Sequence, residues 1–425
     1  MSVSTISVDV SKFRRVTRRA LQYIKDHYRE INGKCGWHQN LGSNKTGNVA
    51  SAQALLSLTY FREGFGEKHK VIDSIIKSQF SKPGDDIYDG GWAYVTNASL
   101  IPTTECTCWV LLSLQKEQSS IKDSFEKGLR WLLNNCSSKD GGTAWGSTRF
   151  DSPRTYPTTL ALRVLSSYGY TDTKQYKQGL AWLENARNST DGGWGEAGGY
   201  SSTFLHTAHA LIALKECGLD VKSEFIRSGC DWLLESFHEE TLWDEQSVLA
   251  GLIEQMEISV PSNIGILGQR VVYFHFVIPW IITALVLCSK LSTLQSFKAV
   301  NWLLNTFRDG YWDHPYLRYL KNKPMSATHD ALLALSTFES KVPSPWDEIE
   351  KLSCSNGEIN VKRKREPPIS FWRRFISSKI TRLFMLVVVI GIVLGITGAM
   401  PFIWVIATFF LSFLASLLAI SVLKK

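Results

Sequence analysis

Five ionisable residues stand out by type and position: Glu105, His206, His209, His329 and Asp330. Each falls at the start of an apolar stretch with helical spacing. If those starts share one mouth of an enclosed interior, the five groups converge there over an apolar cavity, which is the usual make-up of a site. A carboxyl group there could act as an acid, but protonating an alkene needs a strong one whose carboxylate is stabilised by neighbours, and burial by itself weakens the acid. His206 and His209 lie three apart and share a helix face, a workable spacing for a metal ion. His329 and Asp330 open the last such stretch. Cys106 and Cys108 are two apart and diverge on a helix. The string Asp85-Asp86-Ile87-Tyr88-Asp89 would bind magnesium if its carboxylates shared a helix face, but Pro83-Gly84 and Gly90-Gly91 place it in a loop. No cofactor is predicted. Zinc at His206 and His209, or magnesium, is the weaker alternative.

The elements that must position these groups repeat along the chain. A Trp-bearing helix leads to a Gly-rich turn ending in Trp, then to a second helix that opens with small polar residues. The clearest copies are Gly179–Cys217, with Asp191-Gly192-Gly193-Trp194 at the turn, and Gly128–Tyr168, with Asp140-Gly141-Gly142 and Trp145. The second helices align at Ser51, Thr107, Thr158, Thr207 and Thr328, each followed by Ala and Leu at helical spacing, with a degenerate copy over Ile281–Cys288. The first four starts lie 56, 51 and 49 apart, and the 74 to the next implies an insertion near Ile258–Arg270. The first helices carry polar faces and a Trp-Leu pair at 131, 182, 232 and 302, so they suit an outer ring. The second helices are apolar nearly all round and suit a buried inner ring. Six such pairs close most simply into an all-α (α/α)6 barrel. The turn Trp is expected to wedge between neighbouring units.

Charge divides the chain. Of 47 Lys/Arg and 39 Asp/Glu, residues 361–425 hold ten basic and one acidic residue, leaving 37 and 38 before them. A near-neutral main domain argues against nucleic-acid binding. Leu383–Met400 is an 18-residue run without charge, and Phe402–Leu423 adds 22 apolar or small residues after Pro401. A span needs about 20 residues, so residues 381–425 read as two transmembrane helices. Basic residues before the first span and Lys424-Lys425 after the second predict a cytoplasmic barrel and C-terminus. The expected division is a barrel over 1–340, a Pro-containing basic linker over 341–380 and the spans over 381–425. Anionic lipid headgroups are expected at the linker. A basic stretch in the first helix (Lys12, Arg14, Arg15, Arg18, Arg19) reads as a solvated face. The eight cysteines show no disulfide framework, which fits a reducing compartment.

The Gly-Gly-Trp units resemble the QW repeats of the squalene–hopene and oxidosqualene cyclases, and the related repeats of protein prenyltransferase β subunits. The resemblance covers about residues 12–340 and is strongest over 88–217. It implies the (α/α)6 barrel, an aromatic-lined cavity and an isoprenoid or membrane-lipid ligand. Cyclases of this type carry Asp-x-Asp-Asp at one inner-helix mouth. The register Gly91-Trp92-Ala93-Tyr94, then Pro102-Thr103-Thr104-Glu105-Cys106-Thr107, places Glu105 at the position of the catalytic Asp, with Thr103 and Cys106 for the flanking acids. The resemblance therefore implies Glu105 as a proton donor for class II cyclisation and Tyr94, Thr103, Thr104 and Trp109 as substrate-binding residues. A barrel without catalysis, binding a ligand or a protein, is the alternative. Zinc-dependent prenyl transfer is the third reading, with its Asp-x-Cys zinc motif missing.

Overall fold

The computed structural model describes residues 5–94, 101–117, 120–139, 142–236, 251–262, 265–313, 323–342 and 346–363. The chain divides into two compact units, Met1–Lys362 and Arg363–Lys425. The two apolar spans expected over 381–425 lie outside the described residues. Among the described residues no helix is long and apolar enough to cross a membrane.

Twelve α-helices are described, and they alternate in character as the repeat predicts. The outer set is α1 (Val10–Asp26), α3 (Lys68–Lys77), α5 (Lys122–Asn134), α7 (Lys174–Asn185), α9 (Glu224–Ser236) and α11 (Leu294–Thr306). The inner set is α2 (Asn48–Tyr60), α4 (Thr104–Leu114), α6 (Thr155–Ser167), α8 (Phe204–Glu216), α10 (Val277–Leu287) and α12 (Met325–Lys341). An outer helix such as α7 buries only Tyr176, Gly179, Trp182 and Leu183, one stripe at helical spacing. Inner helix α8 buries every residue from Leu205 to Leu214. The inner helices touch in the cyclic order α2, α4, α6, α8, α10, α12 and back to α2, so the ring is closed.

The Gly-Gly-Trp turns are the fasteners of this ring. Trp194 donates its indole N–H to Leu183 O of its own outer helix at 2.8 Å, and its backbone N–H to Thr207 Oγ1 of the following inner helix at 2.9 Å. The same pair of bonds recurs at Trp37 (Ile24 O and Ser51 Oγ), Trp92 (Ile75 O and Thr107 Oγ1), Trp145 (Leu132 O and Thr158 Oγ1) and Trp312 (Leu303 O and Thr328 Oγ1). In five of the six inner helices the small polar residue that opens the helix is thus the acceptor for a backbone N–H buried in the turn. Each indole also enters the next unit. A Cβ on Gly179 of α7 would sit 2.4 Å from Trp145 Cζ3, and one on Gly128 of α5 would sit 2.6 Å from Trp92 Cζ3.

Two departures from the all-α expectation are informative. The insertion of the fifth unit is an antiparallel hairpin of β4 (Gly251–Ser262) and β5 (Gly265–Phe276). Ser259 ties it to the third unit, donating its N–H to Asp151 Oδ1 at 2.8 Å and accepting from Thr148 Oγ1 at 3.0 Å. The stretch read as the start of a linker also contributes strands. β6 (Ile349–Ser355) pairs with β1 (Ile6–Asp9) from Ile6↔Cys354 to Asp9↔Lys351, and β7 (Glu358–Arg363) completes the sheet. The reason is local: Ile349, Leu352 and Cys354 bury against the barrel, and Asn356-Gly357 supply the left-handed turn (φ 51° and 76°) that joins the two strands. A further small pair, β2 (Arg29–Ile31) with β3 (Lys34–Gly36), follows α1.

Candidate active site

The inner helices bring one layer of functional side chains together at their N-terminal ends. Glu105 sits in the first turn of α4, capped by Thr103, whose Oγ1 accepts from Cys106 N. Tyr156, at the start of α6, donates its phenol to Glu105 Oε1 at 3.1 Å. Burial, and then the Glu105 charge, push the Tyr156 phenol well up from its ordinary pKa, so it remains a donor. The Tyr156 ring meets His209 of α8 edge-on at 4.8 Å between centroids and His275 of β5 at 5.2 Å. His209 lies against Trp280 of α10 at 4.1 Å.

A second carboxyl group lies deeper. Asp330 of α12 is 6% exposed. Its Oδ1 is 2.9 Å from His329 Nδ1, and its Oδ2 accepts from Trp280 Nε1 at 3.1 Å. Burial pushes the Asp330 carboxyl above its ordinary pKa, although the His329 contact works the other way. The far nitrogen of the imidazole, His329 Nε2, is 3.4 Å from Tyr60 OH of α2. Trp109 of α4 meets His329 edge-on at 5.0 Å and Trp280 at 6.3 Å. Since α4 and α10 are opposite members of the inner ring, Trp109 and Trp280 meet across its centre.

The helical register explains why these residues share a level. Counted from the small polar residue that opens an inner helix, the second position onward is Gln53, Trp109, Leu160, His209 and Asp330. In α10 the closing turn, Lys290 N on Leu285 O, matches Leu219 N on Leu214 O of α8, which puts Trp280 at the same position. A carboxyl group, an imidazole and an indole are thereby presented at one height around the ring.

The other residues expected at the site have different surroundings. His206 turns its Nδ1 to Thr203 Oγ1, the N-cap of its own helix, at 2.8 Å, so it and His209 have separate polar or ring neighbours. Thr104 donates its hydroxyl to Gly146 O at 2.7 Å and its N–H to Ser147 O at 2.9 Å, stitching the second unit to the third. Thr103 is occupied as a cap. Tyr94 is 37% exposed, while Trp109 is buried at the centre. Among the described residues no group of three His, Cys, Asp or Glu is placed to hold a metal ion. Asp85 and Asp89 bind their own loop, accepting from Ile87 N and Lys82 N.

Several interior residues escaped the sequence reading. Arg163 had a visible signal, as a lone charge inside an apolar inner helix. Tyr156 lies one helical face-repeat of seven before it, a spacing that could have linked the two. Trp280 stood just before the degenerate fifth copy. His275 carried no signal, because its place depends on how the hairpin folds back.

Comparison with known proteins gives a consistent partial picture. Residues 144–255 match the family described as squalene-hopene cyclase C-terminal domain. The squalene–hopene cyclase of Bradyrhizobium diazoefficiens is 23% identical over 295 residues, covering 62% of this chain and 42% of that protein. A probable squalene–hopene cyclase of Sinorhizobium fredii is 21% identical over 270 residues, covering 57% and 39%. The chain therefore spans about two fifths of the length of these curated relatives. Among solved structures, the apo form of the type II terpene cyclase MstE from Scytonema aligns with 15% identity and a TM-score of 0.49, covering 78% of this chain and 99% of that one. The sequence matches support the terpene cyclase-like superfamily expected from the Gly-Gly-Trp turns.

Proposed function

We propose that the barrel takes a prenyl chain into its aromatic interior and starts its cyclisation by protonating an alkene, with Asp330 as the proton donor and Glu105 as a supporting carboxylate at the mouth. The observation that carries this reading is the surroundings of Asp330. An acid for this step must hold its proton near neutrality, which burial favours, and its conjugate base must be stabilised once the proton has left. His329 Nδ1 and Trp280 Nε1 are in place to hydrogen-bond the carboxylate that results. The proton passes from the Asp330 oxygen to an alkene carbon, whose π electrons form the new C–H bond. The carbocation left on the neighbouring carbon faces the indoles of Trp109 and Trp280, whose ring faces attract positive charge. Glu105 is half-buried at the mouth and takes its hydrogen bond from Tyr156.

The test is turnover of squalene and of C15–C35 prenyl substrates by the purified full chain in detergent, with Asp330→Asn and Glu105→Gln beside it. Loss of product in Asp330→Asn, with a smaller loss in Glu105→Gln, supports the assignment. Product formation indifferent to Asp330→Asn overturns it.

A second reading, a barrel that binds its ligand without chemistry, is favoured by one observation. The two residues standing where cyclases carry flanking acids are built into the fold, Thr103 as a cap and Cys106 as a buried core thiol. Co-purified prenyl lipid in a native mass spectrum, with no product from any substrate, would favour it. We also propose that residues 381–425 tether the barrel to a membrane. Release of the full chain from membranes by alkaline carbonate would remove that proposal.

A further inference from the structure

The C-terminal end of the inner ring holds a charged pair that the proposed chemistry does not use. Arg163 of α6 is 6% exposed. It donates from Nε to Glu216 Oε2 at 2.7 Å and from Nη2 to Glu216 Oε1 at 3.2 Å, a two-pronged bond to the last residue of α8. Its third nitrogen, Nη1, is buried and meets no acceptor among the described residues. A buried donor left without an acceptor costs about 1–3 kcal/mol, so its presence calls for an acceptor that the described residues do not supply.

The register shows what surrounds it. Arg163 is the fifth position onward from the opening Thr158, and the matching residues of the other inner helices are Leu56, Leu112, Ile212, Thr283 and Leu333. One cation thus stands in a layer that otherwise holds four aliphatic side chains and Thr283, whose hydroxyl bonds Pro279 O within its own helix. Leu56, Leu112 and Leu333 keep partial exposure, as do Tyr60 and Glu216 one turn further along α2 and α8, the last at 37%. The layer lies three residues beyond Asp330, a rise of about 4.5 Å along the helices. The partly exposed leucines make it a mostly apolar recess in which Arg163 Nη1 is a donor unmet among the described residues, about one turn from the carboxyl that would deliver the proton.

We infer that this recess is a head-group site, in which Arg163 Nη1 donates to a neutral oxygen (an alcohol, ketone or ether) at the end of a prenyl chain. The inference rests on the reading that the interior takes such a chain, and it narrows the substrate class. Glu216 already balances the guanidinium charge. A diphosphate in the same place would bring two or more further negative charges beside a carboxylate 2.7 Å from the arginine, with little positive charge left to meet them. A neutral acceptor takes the free N–H without that repulsion.

The experiment measures dissociation constants of the full chain in detergent for three C20 probes: geranylgeraniol, the hydrocarbon lacking its hydroxyl, and geranylgeranyl diphosphate. Wild type should bind the alcohol about tenfold or more tighter than the hydrocarbon, as expected for one hydrogen bond from a charged donor, and tighter than the diphosphate. Replacing the pair together, Arg163→Met with Glu216→Met, removes both buried charges at once. It should erase the alcohol's advantage and leave hydrocarbon binding near wild type. Glu216→Gln leaves the arginine charge unbalanced and should shift preference toward the diphosphate by about tenfold. Equal binding of alcohol and hydrocarbon by wild type overturns the head-group site while the prenyl-binding reading stands. So does an alcohol preference that survives in the double variant. Failure of all three probes to bind overturns both.

Discussion

Tyr156 and Glu105 face each other across neighbouring inner helices, the phenol donating to Oε1 at 3.1 Å. The bond joins the first turn of α6 to the first turn of α4, beside the buried edges of His209 and His275. It gives the carboxyl group expected to be catalytic a neutral donor from the neighbouring inner helix.

Tyr156→Phe keeps the ring contacts and deletes that donor. Hydrogen bonds to charged groups contribute about 1.5–3 kcal/mol, and the partial burial of Glu105 places this one at the low end. The expected loss is about 1.5 kcal/mol, read as a lower midpoint in urea at unchanged slope. With Asp330 as the donor, turnover by this variant stays within about tenfold of wild type. A loss as deep as that of Asp330→Asn would move the acid role back to Glu105.

The raised pKa of Asp330 carries a sign that can be read in solution. Burial disfavours its charged form in the folded state. The stability it contributes is fully present below the unfolded carboxyl value and is lost as pH rises through the higher folded value. Wild type should therefore lose stability relative to Asp330→Asn as pH rises across that window, measured by denaturant titration at matched pH. Turnover should fall with rising pH over the same window, because the donor must be protonated. A difference between the two proteins that is flat with pH would show that Asp330 ionises alike in both states.

Much of the ring was legible because it is periodic. Ser51, Thr107, Thr158, Thr207 and Thr328 were aligned by spacing, and each proves to be the acceptor for a turn Trp N–H. The site was legible only in part. Glu105 and His209 are linked through Tyr156, while Asp330 and His329 lie deeper and meet Trp280 and Tyr60, contacts that depend on side chains meeting between helices distant in sequence. His206 misled because helix-face spacing is blind to capping: its Nδ1 is spent on Thr203. The strands β6 and β7 were hidden by neighbouring prolines and lysines, although Asn356-Gly357 is a hairpin signal in its own right.

The repeated threonine allows a paired test. Thr207→Val is close to isosteric and leaves the buried Trp194 N–H without its acceptor, for an expected cost of about 1–3 kcal/mol. Thr283, in the fifth inner helix, bonds Pro279 O within that helix at 2.8 Å. That carbonyl already belongs to a helix, so Thr283→Val should cost less, about 1 kcal/mol or below. Equal midpoints for the two variants in thermal unfolding would remove the fastening role of the opening threonine.

Gly179→Ala sets two opposing effects against each other in one residue. In an outer helix, alanine improves on glycine by about 0.8–1.0 kcal/mol of helix propensity. Here the new methyl would lie 2.4 Å from Trp145 Cζ3, inside any real contact distance. That indole is fully buried and held by its own N–H on Leu132 O at 2.9 Å, so it cannot swing aside without losing the bond. Overpacking of this kind costs about 1–3 kcal/mol, and breaking the bond adds to it, so the clash outweighs the propensity gain. The variant should unfold at lower temperature than wild type, by several degrees. Gly169→Ala offers no such clash, since nothing lies within 4 Å of its Cβ, but its φ of 75° strains any L side chain. The two glycines thus separate close approach from backbone conformation. Enlarging the neighbouring space with Trp145→Phe should recover part of the loss in Gly179→Ala and none of it in Gly169→Ala. Recovery in both, or in neither, would mean that the indole does not set the spacing between units.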